Sequence, residues 1–320
     1  MAKTNQEILK TITTGDLKSP GAGYLNPYQA DKFLRMAYEA TPFNKLHRKV
    51  KRTQKKGEID KIAIGGRLLR KKTENTDDGY RADVQTAKIE YSTVPIRLPW
   101  EITEETLREN IEGENFEDVV MEMMTTQFGI DIEDLHWNGD TDSSDPFISI
   151  NDGWRKKILA PGSGAHLIDM NASPYHGVGF GKTVLFGAVN ALPNKYRGQN
   201  LRWLMSPLNR MKYIEYMTHR ATGAGDNALL AAGAQVNTPL GYEIVEIPQM
   251  PDDMIVLSDP QNFIAVNTYD IRIRKTTEGR EAIMEDKRFY VVHVDDDVII
   301  QEMDAIAVIK NVDTSQLETV

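Results

Sequence analysis

Cysteine is absent from the chain. That excludes disulfides, thiol nucleophiles and cysteine-ligated zinc, and leaves packing and assembly to supply stability. Long apolar runs are also missing: no stretch approaches the roughly 18 consecutive residues that a membrane helix needs. The opening MAKTNQEILK lacks the apolar core of a signal peptide. The expectation is a soluble protein kept in the cytosol, with no membrane partner. The six histidines and the serines show neither zinc-ligand nor nucleophile-elbow spacing, so no catalytic residue, metal site or cofactor is expected.

What the chain does have is charge, unevenly placed. The formal net charge is −9, yet from Met1 to Lys72 basic residues outnumber acidic ones by 11. Lys45, Arg48, Lys49, Lys51, Arg52, Lys55 and Lys56 form a dense basic patch, whereas the charged residues from Glu101 to Asp145 are almost all acidic. A basic arm precedes an acidic body. Such an arm meets nucleic acid through phosphate contacts, pairs with the acidic surface of a neighbouring copy, or is a solvated charge run.

The rest of the chain is organised around Trp100 to Asp140. Asn115 is a candidate N-cap, and Glu114, Glu117 and Asp118 place negative charge where the helix dipole favours it. Phe116, Val119, Val120 and Met123 make an apolar stripe, opposite Glu117, Asp118 and Glu122. Asn138-Gly139-Asp140 is a stop signal. The helix is therefore about 22 residues, or roughly 33 Å, with Gly129 as a possible bend.

In chain order, residues 1 to 27 read as an extended arm, and Phe33, Leu34, Ala37 and Tyr38 as a short helix stopped by Thr41-Pro42. Residues 57 to 99 read as a two-stranded excursion with a polar tip at 73 to 87, and Val94-Pro95 marks an edge strand or bulge. A two-stranded ribbon is marginal alone in water, so it rests on a partner. Beyond the long helix, Asp140 to Asp152 is a turn-rich connector, and a second helical segment begins near Trp154. A helix follows the glycines after Gly177 and ends at Pro193; Leu201 to Met205 is a buried strand; Ser206-Pro207 caps a helix running through Met217. Short strands at 242–247, 254–257 and 263–266 are separated by prolines. After Asp270 come longer antiparallel strands, with Glu278-Gly279 and Asp295-Asp296-Asp297 as turns.

Two stretches imitate chemistry. Gly177-Val178-Gly179-Phe180-Gly181-Lys182-Thr183 resembles a phosphate loop, but His176 stands where that pattern needs glycine and no clear buried strand precedes it. Asp295 to Asp297 beside His293 suggests a hard-metal site, although a charged turn explains it better.

YSTVPIRLPW running into EITEETLREN, then EDVVMEMMTTQFGIDIEDLHWNGD, WLMSPLNRMKYIEYM, TPLGYEIVEIPQMPDDMIVLSDPQNF and the closing VIIQEMDAIAVIKNV together resemble the tailed-bacteriophage major capsid proteins of Hong-Kong-97 type. The likeness covers most of the chain and rests on order and local pattern. It implies an α+β fold with an N-terminal arm (1–56), an extended β-hairpin loop (57–99), a peripheral domain with its spine helix (100–181, helix about 115–138), an axial domain (182–266) and closing peripheral strands (267–320). It also implies hexamers and pentamers closing into an icosahedral shell, made in the host cytoplasm, that encloses double-stranded DNA through non-specific contact. The contact residues this suggests are the basic patch on the inner face or a subunit boundary, Arg70, Lys71, Lys72, Tyr80 and Arg81 in the extended loop, and Arg220, Asp226 and Asn227 in the capsomer-axis loop. A portal protein and a decoration protein are further implied partners. Only about 25 residues precede the first arm helix, so a separate scaffolding protein is expected rather than a fused one. Some members crosslink a loop lysine to an asparagine; Lys71 and Lys72 lie in the right loop, but nothing identifies the asparagine or the acid. An encapsulin-like compartment is the rival within this fold, and a soluble phosphate-binding enzyme the distant one.

Overall fold

A computed structural model of the chain describes residues 23–24, 41–64, 84–109, 116–198, 200–219, 238–268, 272–313 and 316–318. The first strands are β1 (Gly23–Tyr24), β2 (Arg48–Arg52), β3 (Lys56–Ile64), β4 (Val84–Ser92) and β5 (Val94–Thr103). Helices α1 (Glu104–Glu109), α2 (Phe116–Asn138) and α3 (Trp154–Leu159) lead to β6 (His166–Asp169) and α4 (Lys182–Ala191). Then come β7 (Arg202–Met205), α5 (Pro207–Thr218), β8 (Glu243–Glu246), β9 (Met254–Ser258) and β10 (Phe263–Thr268). The chain closes with β11 (Arg272–Thr276), α6 (Arg280–Glu285), β12 (Lys287–Ile300) and β13 (Ala307–Lys310).

Two sheets carry the body. In the six-stranded sheet the order is β1-β11-β12-β10-β2, with β5 also on β12. Residues 289–293 of β12 pair with both β5 and β11, so those strands flank it, while Asp296–Ile300 pairs with β10. The five-stranded sheet is ordered β6-β13-β9-β7-β8. Helices α4 and α5 cover one of its faces, packing Val184, Leu185, Ala188, Tyr213 and Tyr216 on Trp203, Met205, Ile255 and Leu257. The opposite face shares a core with the six-stranded sheet: Leu204, Val245, Val256 and Val308 meet Phe263, Val298 and Ile300 around Phe43, Trp137 and Trp154.

The spine helix spans Phe116–Asn138 and runs without interruption through Gly129. Its buried stripe shares Val120 with the expected one but turns away from Met123. Met123 is exposed, and the face on the sheet is Val120, Met121, Met124, Phe128 and Ile132. The first two turns read ambiguously because their apolar residues cover a wide arc; the later spacing of four, Val120, Met124, Phe128 and Ile132, decides the face. Gly139 ends the helix where the chain doubles back: a Cβ there would lie 2.3 Å from the Asn151 carbonyl, and Gly153 N donates to Gly139 O at 2.8 Å. The connector between them is braced by Lys156, whose ammonium contacts Asp140, Asp142 and Asp152 at 2.7–2.8 Å.

Several expectations are corrected. Asp295 to Asp297 is not a turn but lies inside β12, because each carboxylate has a partner, and Ala282–Glu285 is helical, so strand begins only at Lys287. The basic stretch of the arm is not left free: β2 joins the six-stranded sheet, parallel to β10. The excursion's second strand ends at Ser92, and Val94–Pro99 already pairs with β12 as an edge strand. Within the span 182–266, β7, β8 and β9 share one sheet and β10 lies in the other. Strands β6 and β13 pair into the five-stranded sheet. The arm helix expected at 33–38 and the N-cap Asn115 lie outside the described residues.

Candidate assembly surfaces

Four of the seven basic-patch residues stand on β2, whereas Lys45 ends the short helical turn before it, Lys55 lies in the bend after it and Lys56 opens β3. Among the described residues β2 pairs with β10 alone, and Arg48, Lys49, Lys51 and Arg52 are all exposed around the half-buried Val50. Alternation sorts the patch by face: Val50 packs with Ile264 and Val266 toward the hairpin, so Arg48 and Arg52 share that side, and Lys49 and Lys51 take the other. Arg48 donates to Gln301 and Lys55 pairs with Asp295 at 3.1 Å. Cations on an edge strand also discourage indiscriminate strand addition.

The β3–β4 hairpin is fastened to its own body at the base. Ile59 and Tyr91 bury against Ile264, Val266 and Ile299; Lys61 pairs with Glu302; Ser92 N donates to Asp297. The loop contacts expected at Arg70, Lys71, Lys72, Tyr80 and Arg81, and those at Arg220, Asp226 and Asn227, lie outside the described residues. The described surface adds apolar candidates that charge-based reading missed: Ile283 and Met284 on α6 are 69% and 78% exposed, and Phe186, Leu208 and Met211 stand out from α4 and α5. In sequence these residues are indistinguishable from core positions.

Behind the edge strand, the arm is clamped to the spine helix. Phe43, Trp137, Trp154 and Phe263 lie in mutual ring contact at 5.3–5.7 Å. Asn44 Nδ2 donates to Gly129 O at 3.3 Å. His47 sits against Trp154, and its ring centroid is 6.0 Å from that of His136. Burial, reinforced by His136 and Lys49, holds the His47 pKa well below the usual imidazole range. Burial pushes the Glu133 carboxyl up, opposed by the Thr41 hydroxyl, His136 and the Asn44 amide. His136 Nε2 donates to Asp296 at 2.7 Å, and Asn267 Nδ2 donates to its other oxygen at 2.8 Å, all in the interior.

A second polar cluster ties the spine helix's first turn to the sheet. Arg288 bridges Glu104 and Glu117, and Lys275 also reaches Glu117. Burial alone would raise Glu117, but Lys275, Tyr290 and Arg288 around it leave its pKa lowered. Among the described residues, no group of three or more histidines and carboxylates is placed to hold a metal ion.

The glycine-rich stretch before α4 is already filled by the chain itself. Thr183 donates from its backbone N and its Oγ1 to the Glu318 carboxylate at 2.9 and 2.6 Å.

Comparison with known proteins places this arrangement. The model of the phage capsid family matches residues 21–311. A putative prophage capsid protein of Bacillus subtilis (strain 168), YqbE, is 28% identical, covering 96% of this chain and 99% of its own length. Among solved structures, the satellite phage P4 procapsid that includes the size determination protein superposes with a TM-score of 0.66 at 14% identity, over 90% of this chain and 92% of the other. A chain of the Gordonia phage Cozz structure gives 0.58 at 14% identity, over 95% and 91%. The fold they share with this chain is α+β, of Hong-Kong-97 type.

Proposed function

We propose, from the premise that this chain belongs to the phage capsid family, that its copies assemble as hexamers and pentamers into an icosahedral virion shell around packaged double-stranded DNA. The observation that carries this is the family match across most of the chain, joined to a body that offers several unlike surfaces. A basic sheet edge, a two-stranded hairpin and exposed apolar residues on the helices suit heterologous contacts, in which each copy touches its neighbours with different patches. Such contacts close into rings and then into a shell.

The five-stranded sheet with α4 and α5 is the unit we assign to the capsomer axis, and the six-stranded sheet with the spine helix to the periphery. The basic edge serves the inner face or a subunit boundary. DNA contact through it is electrostatic and sequence-independent. A separate scaffolding protein, a portal protein and a decoration protein complete the set of partners, and assembly takes place in the host cytoplasm. The family and the sequence relative are phage and prophage proteins, which favours a genome shell over an encapsulin-like compartment. The role is structural rather than enzymatic.

The test is to express the chain with and without the scaffolding protein of the same phage and to examine it by analytical ultracentrifugation and negative-stain microscopy. Capsomer rings or closed particles are expected. A persistent monomer or dimer under both conditions would sink the reading.

A further inference from the structure

Gly177 to Thr183 resembles a phosphate loop in sequence, and the structure shows what it holds instead. Residues Gln316–Glu318 lie along it as a short parallel strap: Phe180 N donates to Gln316 O at 2.8 Å, Glu318 N donates to Phe180 O at 3.1 Å, and Phe180 bridges Leu317. Leu317 reaches the rim of the core beneath α4 and α5. The Glu318 carboxylate then caps the first turn of α4 through the Thr183 amide and hydroxyl. Two glycines make the berth. A Cβ on Gly179 would stand 2.4 Å from the Leu317 carbonyl carbon, and one on Gly181 would stand 2.5 Å from both Cβ and Oε2 of Glu318.

We propose that this loop is a built docking site for an extended peptide carrying an apolar residue followed by a carboxylate, and that its ligand is the chain's own Leu317–Glu318. The helix N-terminus supplies the preference for negative charge. The backbone pairing on both sides of Phe180 and the apolar seat for Leu317 supply the preference for peptide over free phosphate. The strap is thereby a latch that holds α4 on the five-stranded sheet.

Hydrogen exchange on the intact, unassembled chain tests this directly, independently of whether shells form. In wild type the amides of Phe180 and Thr183 should be protected. In Glu318→Gln and in Gly179→Ala they should exchange about 10-fold faster or more, a difference of the size one charge-assisted hydrogen bond produces. The amides of β9 should be unchanged. As a second measurement, a chain stopped after Asp313 and shown folded by near-ultraviolet circular dichroism should bind a labelled peptide of residues 314–320. Binding should be competed by the unlabelled peptide, and not by its E318Q form or by inorganic phosphate. Equal protection in wild type and Glu318→Gln would overturn the latch, and competition by phosphate would overturn the peptide preference. If the shortened chain does not fold, the exchange comparison decides alone.

Discussion

His47 is the residue on which the pH response of the arm turns. Its pKa in the folded chain is lowered, first by burial and then by His136 and Lys49. The unfolded chain therefore takes up a proton near 6.5, where the folded chain does not, and stability falls as the pH drops below that value. Glu133 acts in the opposite sense. Its raised pKa lets the folded chain bind a proton before the unfolded one does, so acidification toward 4.5 returns some stability. His47→Gln should flatten the loss of stability between pH 7 and 5.5 by up to about 1.4 kcal/mol per pH unit, the limit for one proton. Urea titrations at three pH values check it; identical slopes in mutant and wild type would remove His47 from the account. Little of this site was legible in the sequence. Asp295-Asp296-Asp297 reads as a solvated turn because charge in sequence implies water, and the groups that let it lie inside a strand are remote: His136 is 160 residues away from Asp296, and Ser92 is 205 from Asp297.

At the scale of elements, local signals were dependable. Ser206-Pro207 opens α5 as expected, with the Ser206 hydroxyl accepting from Asn209 N, and Asn138-Gly139-Asp140 closes the spine helix. Strand positions followed from apolar runs broken by proline. The sheet each strand joins did not, because pairing is non-local: β13 looks like a continuation of β12 yet belongs to the other sheet. The hairpin also divides into parts that sequence could not separate. Its base is held by Ile59, Tyr91 and Lys61 on the body, whereas residues 73–82 lie between the described strands. Removing residues 73–82 should leave a soluble subunit with the wild-type near-ultraviolet spectrum that no longer forms stable shells in negative stain. Wild-type shells from that deletion would show the tip is dispensable.

For the whole molecule, the relevant contrast is a net charge of −9 beside a cationic edge. Replacing Arg48, Lys49, Lys51 and Arg52 with glutamine should lower particle yield or DNA content severalfold. The difference from wild type should shrink between about 50 and 200 mM salt, since the exposed charges that only the wild type carries are screened over roughly a Debye length. Unchanged yield and DNA content would assign the edge to protecting the sheet alone. The same molecule carries its own optical gauge. All four tryptophans, Trp100, Trp137, Trp154 and Trp203, are at most 1% exposed, and two of them touch each other in the core that both sheets share. Joining copies through surface patches leaves every indole as dry as before, so emission colour should stay constant while scattered light rises. A red shift would instead announce that water has entered one of the cores. One cuvette thus separates growth of a particle from loosening of its parts.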